Sequence, residues 1–327
     1  MFGLLAIGIL VSGCTERPSQ SAAPGEEPHR RVDAHAERFR LALVLSGGTL
    51  RGFAHLGVLK VLEVNGIRPD LIVGTSAGAI AGSVYASGAN ASELIRASRE
   101  IDFDLGSVWF NWGESPIHVF TATHLRAKRI EDFPIRFAAI ATDLQSGCLA
   151  LFNAGDAAVA VQASSAVPGV FAPTLIRGRD YADGGLVSPL PVRIARVLGA
   201  QRVIAVNVTF DPSESRLARV VDRLFQITLV MTRTLALAEA READVLIEPV
   251  LPPEAEVTLA NRDALIAAGE RATVAALPKI RALLDRPIGV SIARSEDPRA
   301  CVRTTHDTVA SLIRLSKVLA YPAIKVS

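Results

Sequence analysis

From Arg40 to Leu283, short β-branched runs alternate with helical patterns, and this alternation restricts the fold more than any other feature. Strands separated by helices build a largely parallel sheet with helices on both faces, a three-layer α/β sandwich. Leu41 to Leu45 is the first predicted strand; Gly52 to Val64 is a helix, stopped by Asn65-Gly66 and then Pro69. Asp70 to Val73 is the next strand, and Ala77 to Ser87 is a helix of small residues ended by Gly88. Ile135 to Thr142 and Leu149 to Phe152 read as two strands around a turn. A helix over Pro189 to Leu198, a strand over Gln201 to Val208 and a long amphipathic helix over Leu217 to Ala240 follow. A short strand, Val245 to Glu248, precedes a helix over Arg262 to Leu283 that Pro278 should interrupt. The chain shows no internal repeat, and residues 284–327 form a tail that fits no element of this alternation.

The 327 residues are half hydrophobic, enough to fill a substantial core, and carry a formal net charge of +2. A nucleic-acid binder would show a basic face or stripe, so none is expected as a partner. The three cysteines, Cys14, Cys148 and Cys301, show no CxxC spacing, and neither HExxH nor an EF-hand loop occurs. No metal and no cofactor is therefore expected. Cys148 and Cys301 could pair in an oxidising compartment or serve as small buried apolar residues, and the second role is the favoured reading.

Met1 to Val11 is an almost unbroken apolar run, far short of the ~20 residues that a membrane-spanning helix needs. It suits the apolar region of a signal peptide, although no Lys or Arg precedes it, which suggests a start codon further upstream. Val11-Ser12-Gly13-Cys14 follows and resembles the bacterial lipobox, in which cleavage before the cysteine is coupled to its lipidation. Residues 1–13 are thus expected to be a signal peptide and Cys14 a lipid anchor to a membrane surface outside the cytoplasm. Thr15 after the cysteine resembles outer-membrane lipoproteins of Gram-negative hosts. Residues 14–39 combine the anchor with a polar, proline-containing tether that cannot build a core.

Gly74-Thr75-Ser76-Ala77-Gly78 fits G-x-S-x-G between a predicted strand and a predicted helix, the setting of a nucleophile elbow. Gly74 and Gly78 relieve crowding in the sharp turn. The serine is presented at the carboxyl end of a strand, where open α/β sheets bind ligands, with a positive helix N-terminus aimed at it. Taken alone, Ser76 could instead be a helix N-cap in a packing turn.

Ser46-Gly47-Gly48-Thr49-Leu50-Arg51-Gly52 follows the first strand and opens a helix. It lacks the Lys of a Walker A loop, and Thr49 spoils a dinucleotide fingerprint, which weighs against a nucleotide-binding protein. An oxyanion hole is the third reading, in which fixed N–H donors at Gly47, Gly48 and Thr49 stabilise a tetrahedral oxyanion by roughly 3–4 kcal/mol each. Arg51 faces either a phosphate head group or a structural ion-pair partner. Asp183-Gly184-Gly185 is physically an ordinary turn.

In combination, the GG-x-x-RG run ending at Arg51-Gly52, the serine pentapeptide and Asp183-Gly184-Gly185 resemble the patatin-like phospholipase family. Ala141-Thr142-Asp143-Leu144 and Ala163-Ser164-Ser165-Ala166-Val167-Pro168 add to the resemblance, which covers about Leu41 to Leu283. Thr49 departs from it, because the family usually has a third glycine there. The resemblance implies the patatin-like three-layer fold over residues 40–283 and a Ser76–Asp183 dyad. In it Ser76 attacks an ester carbonyl of a membrane lipid or lipid-like substrate and Asp183 takes its proton. An ordinary aspartate, with a pKa near ~3.9, is a weak base, so the site must be dehydrated.

Phe103, Val108, Trp109, Phe110 and Trp112 cluster in a predicted loop within residues 103–115, either a lid over the site or ordinary packing. Two alternatives to the dyad enzyme remain. One is a triad in the chain order Ser76, Asp183, His306; the other is a non-catalytic lipid-binding lipoprotein. The sequence leaves oligomeric state open.

Overall fold

A computed structural model of the chain describes residues 38–101, 115–210, 220–250, 257–288 and 302–304. The signal segment, Cys14, the tether up to residue 37, the aromatic cluster at 103–112 and His306 lie outside the described residues.

Among the described residues one sheet carries nine strands. Five run parallel in the order β3 (Arg136–Asp143), β2 (Leu71–Thr75), β1 (Ala42–Leu45), β7 (Val203–Val206) and β8 (Val245–Ile247). Beyond β3 the sheet turns antiparallel through β6 (Arg179–Asp183) and β5 (Thr174–Ile176), while β4 (Cys148–Phe152) also pairs with β3. The largely parallel α/β architecture expected from the alternation is present.

Each central strand is buried on both faces. Leu43 and Leu45 of β1 and Ile72 of β2 enter one core with α1 (Phe53–Val64), α2 (Ala77–Ala86), α3 (Ala91–Ser98), α5 (Ala157–Ser164) and α8 (Arg262–Asp285). Ala42 and Val44 of β1, with Leu71 and Val73 of β2, enter a second core with α6 (Val192–Val197) and α7 (Val220–Ala240). The period of two along the strand thus distributes side chains to two helix layers, which is why the strands read as unbroken apolar runs.

Three features differ from the sequence expectation. α8 is continuous through Pro278. Proline removes the hydrogen bond to the carbonyl four residues earlier, and Val274, which bears that carbonyl, is exposed, so the freed oxygen is on a side that water can reach. The tail supplies β9 (Val302–Thr304), parallel to β4 with Val302 opposite Leu149. Cys148 is disulfide-bonded, which overturns its reading as a free apolar residue.

α4 (Pro116–His124), α5 and the β5–β6 hairpin were not expected. α5 carries a helix signal that is easily missed: Asp156 caps it, its side chain accepting the Val159 N–H at 2.9 Å.

Candidate active site

Registration of the sheet sets the site. Thr75 at the end of β2 pairs with Ile140 of β3, and Ala141 of β3 pairs with Asp183 of β6. Ser76, one residue past Thr75, therefore stands level with Asp183 two strands away, a backbone span of roughly 10 Å that facing side chains can close.

Ser76 adopts φ 54 and ψ −122, a strained conformation for a residue with a side chain. The turn holds because the chain on both sides is fixed. The Ser76 N–H donates to Ser164 Oγ at 2.9 Å, and that hydroxyl donates to the Ile140 carbonyl at 2.5 Å. Thr75 Oγ1 donates to the Ser188 carbonyl at 2.8 Å. Gly78 must be glycine, because a Cβ there would run into the backbone carbonyl of Leu45.

Asp183 is tied at three points. Its N–H donates to the Ala166 carbonyl at 2.9 Å, its carbonyl accepts from Thr142 Oγ1 at 2.8 Å, and its Oδ1 accepts the Gly185 N–H at 2.7 Å. Oδ2 is buried and has no hydrogen bond of good geometry among the described residues. Burial pushes the carboxyl up to about 6, with the Ser76 side chain and the Gly185 amide holding it from rising further. The dehydrated environment that a carboxylate base requires is thus present at this position.

The glycine loop follows β1, with Thr49–Gly52 forming a 3-10 turn that leads into α1. One expected donor is unavailable: the Gly47 N–H already donates to the Pro189 carbonyl at 3.0 Å. The amides of Gly48 and Thr49 make no hydrogen bond to another backbone group among the described residues. Thr49 takes φ 50, the left-handed conformation that a glycine would hold without strain. Gly52 and Gly184 serve packing, their missing Cβ atoms admitting Ala77 and the Ile140 carbonyl respectively. Arg51 is buried, 7% exposed, and is not among the residues that line the pocket described below.

Sequence reasoning missed two supports. His55 is fully buried on α1, and its Nε2 donates to the Ser46 carbonyl at 2.9 Å. Burial lowers its pKa to about 4, so the ring is neutral. Glu239 on α7 is 2% exposed, accepts from Ser188 Oγ, and takes the Leu190 N–H at 2.9 Å. Burial raises this carboxyl to about 8. The legible signal was an acid on the inward face of α7, in step with Ala236 and Ala240. Among the described residues no histidine bonds to Ser76 or Asp183, and no cluster of His, Cys, Asp or Glu could hold a metal.

A pocket with about 870 Å³ of space, its open mouth included, leads away from Ser76. Leu50, Phe53, Leu56, Ile80, Ile117 and Phe171 make most of its wall apolar.

A strained serine at a strand–helix turn, on the carboxyl edge of a mostly parallel sheet, places the molecule among α/β proteins built around a serine elbow. Within that class the chain is similar to the patatin-like phospholipases: residues 43–196 match the profile described as Patatin-like phospholipase. The chain is 34% identical over 188 residues to an uncharacterized NTE family protein of Mycobacterium tuberculosis, a match covering 55% of this chain and 51% of that one. It is 33% identical over 202 residues to Patatin-like phospholipase domain-containing protein 6 of Homo sapiens, covering 55% of this chain and 15% of that one. To Lysophospholipase NTE1 of Kluyveromyces lactis it is 32% identical over 182 residues, covering 51% of this chain and 12% of that one. The matched region thus spans about half of the first relative and a small part of the other two. Among solved structures, VipD from Legionella pneumophila has a TM-score of 0.43 and 16% identity over 76% of this chain and 67% of that chain.

Proposed function

We propose that this chain hydrolyses acyl esters of lipids through a Ser76–Asp183 dyad. The observation that carries the reading is a strained serine at the carboxyl edge of the sheet, level with a buried carboxyl of raised pKa and at the end of an apolar pocket. The names of two relatives, a phospholipase domain protein and a lysophospholipase, support lipid esters as the substrate class.

The steps follow from the chemistry of the groups present. The acyl chain enters the apolar pocket, which sets the ester carbonyl at Ser76. Asp183 takes the hydroxyl proton as Ser76 Oγ bonds to the carbonyl carbon. The resulting oxyanion turns to the Gly48 and Thr49 amides. Collapse of the tetrahedral centre breaks the bond to the alcohol, which leaves with the proton from Asp183. Water then hydrolyses the acyl-enzyme by the same route, with Asp183 again as base.

The lipobox resemblance at Val11 to Cys14 supports acylation of Cys14 and work at a membrane surface outside the cytoplasm. Among the described residues no helix is long and apolar enough to cross a membrane. Palmitate labelling that persists in Cys14→Ala would remove the anchor from this reading.

The decisive test compares the full chain with Ser76→Ala in detergent micelles. The parent should release acid from short acyl esters and take a fluorophosphonate label at Ser76. The variant should lose both activities by roughly three orders of magnitude or more. Equal hydrolysis by the two proteins, or a label on another residue, sinks the mechanism.

A further inference from the structure

Between the residue that holds the nucleophile and the residue that holds the base sits a hydroxyl with no use inside the fold. Ser164 Oγ accepts the Ser76 N–H, and the Ala166 carbonyl accepts the Asp183 N–H. Ser165 lies between them. It is 2% exposed, it lines the apolar pocket together with Ser76, and its Oγ has no hydrogen-bond partner among the described residues. Ser98, a second hydroxyl on the pocket wall, is satisfied by donating to the Ile95 carbonyl at 2.7 Å. A buried hydroxyl left unpaired is destabilising by roughly 1–3 kcal/mol, so its place in a pocket beside the reacting serine points to a bond made only with substrate.

The surroundings say which substrate atom that is. The acyl chain meets a mostly apolar wall, whose Ser98 hydroxyl is already bonded within its own helix. The carbonyl oxygen turns to the Gly48 and Thr49 amides. One polar atom of the ester is left, the alkoxy oxygen. It must lie on the side of Asp183 to recover the proton taken from Ser76, and Ser165 is one residue from the backbone group that anchors Asp183.

We propose that Ser165 Oγ donates a hydrogen bond to the alkoxy oxygen of the scissile ester and so assists departure of an aliphatic alcohol such as glycerol. This rests on the acyl-hydrolase reading above. No proton is transferred by Ser165. As the carbon–oxygen bond breaks, negative charge grows on the alkoxy oxygen, the Ser165 hydrogen bond strengthens, and the Asp183 proton completes the alcohol. The site should therefore favour esters of aliphatic alcohols, whose alkoxides need this help, over a simple background preference for activated esters.

The test is a leaving-group comparison with the full-length chain in micelles, using octanoyl esters of glycerol and of p-nitrophenol on parent and Ser165→Ala. A p-nitrophenolate departs without assistance. The variant should lose about ten- to hundredfold in kcat/KM on the glycerol ester and stay within about threefold on the nitrophenyl ester, a split that reports a bond strengthened in the transition state. Fluorophosphonate labelling of Ser76 should be unchanged. The variant removes an unpaired buried group, so its melting temperature should equal or exceed that of the parent. Equal losses on both esters, or no loss on either, would overturn the assignment while the acyl-hydrolase reading stands. A parent that is inert and unlabelled at Ser76 would overturn both.

Discussion

The two flanks of Ser76 are built on different principles. On one flank, side chains from α1, α2 and α4 and from residues 165–171 line an apolar pocket, and what matters there is volume. On the other flank, residues 183–190 form a polar strap held by directed bonds. The Ser188 and Pro189 carbonyls accept from Thr75 Oγ1 and the Gly47 N–H, Thr232 Oγ1 on α7 donates to the Gly185 carbonyl at 3.3 Å, and Glu239 clamps Ser188 and Leu190. Substitutions of similar size should be tolerated on the first flank. On the second, each lost bond leaves a buried group unpaired. In the proposed mechanism, the contrast separates a wall that shapes substrate binding from a frame that holds the reacting atoms.

The largest effect should come from Asp183→Asn. Hydrolysis should fall by roughly three orders of magnitude or more, because amide nitrogen and oxygen cannot take the proton. Stability should move the other way. The folded-state pKa is raised from 3.8 to about 6, so the folded protein holds a proton that the unfolded chain releases across that window. Folding is penalised increasingly from pH 3.8 to about 6, and the penalty is constant above it. Asparagine lacks the penalty, so the variant should be more stable at neutral pH by up to about 3 kcal/mol. Melting curves at pH 4 and pH 7 check this: the gain should be small at the lower pH and full at the higher. In the parent, kcat/KM should rise with pH along a limb centred near the same value of about 6. A variant that melts below the parent at pH 7 would show that the buried charge is better compensated than its surroundings indicate.

Next is Gly48→Ala. A Cβ at this position would press on the Val208 backbone carbonyl, which cannot swing aside as a side chain could. The loop must shift, and the Gly48 and Thr49 amides shift with it. Loss of one oxyanion donor lowers kcat by about a hundred- to a thousandfold, and a fall of that size is expected in steady-state assays. The nearby wall substitution Ile80→Val is the control, expected to change rate by less than about tenfold because only one methyl group is lost from the pocket. Similar losses in the two would erase the distinction between wall and frame.

Glu239 tests the frame away from the reacting atoms. Its raised pKa, about 8, keeps the carboxyl mostly neutral at pH 7. Glu239→Gln should preserve its contacts and most of the activity, whereas Glu239→Ala strands the Leu190 N–H and should cost about 1–3 kcal/mol of stability with a fall in rate. The sign of the pH effect follows from the raised pKa. The penalty on folding grows from pH 4.5 to about 8, so the stability of the glutamine variant relative to the parent should grow over the same window. Urea titrations at pH 5 and pH 8 separate the two, and an equal difference at both would mean that Glu239 carries the same charge throughout.

The two flanks also differed in how far the sequence disclosed them. Ser76 was legible because its determinants are consecutive: a β-branched strand, a turn with glycines, a helix of small residues. Asp183 was named only through family resemblance. Its position depends on β6 pairing antiparallel with β3, a non-local registration that an Asp-Gly-Gly turn does not signal. The Gly47 amide was expected to face the oxyanion and instead meets Pro189, a partner more than a hundred residues away in the chain. Glu239 lies still further from any motif. Local rules find the element that carries a group; which groups it satisfies on the far side of the sheet is settled by packing.

Thr49→Gly should have the smallest effect, and its direction is informative. At φ 50 a threonine is strained by roughly 1–2 kcal/mol. Glycine removes that strain but adds back about 0.4–1 kcal/mol of unfolded-state entropy. The expected balance is a gain of a few tenths of a kcal/mol, read as a small rise in melting temperature, with kcat held within about threefold. The substitution keeps the backbone amide assigned to the oxyanion in the proposed mechanism, so the rate should hold if position 49 acts through its N–H alone. A tenfold loss would mean that the threonine side chain itself fixes the loop, and would extend the frame of directed contacts to the glycine-loop side of Ser76.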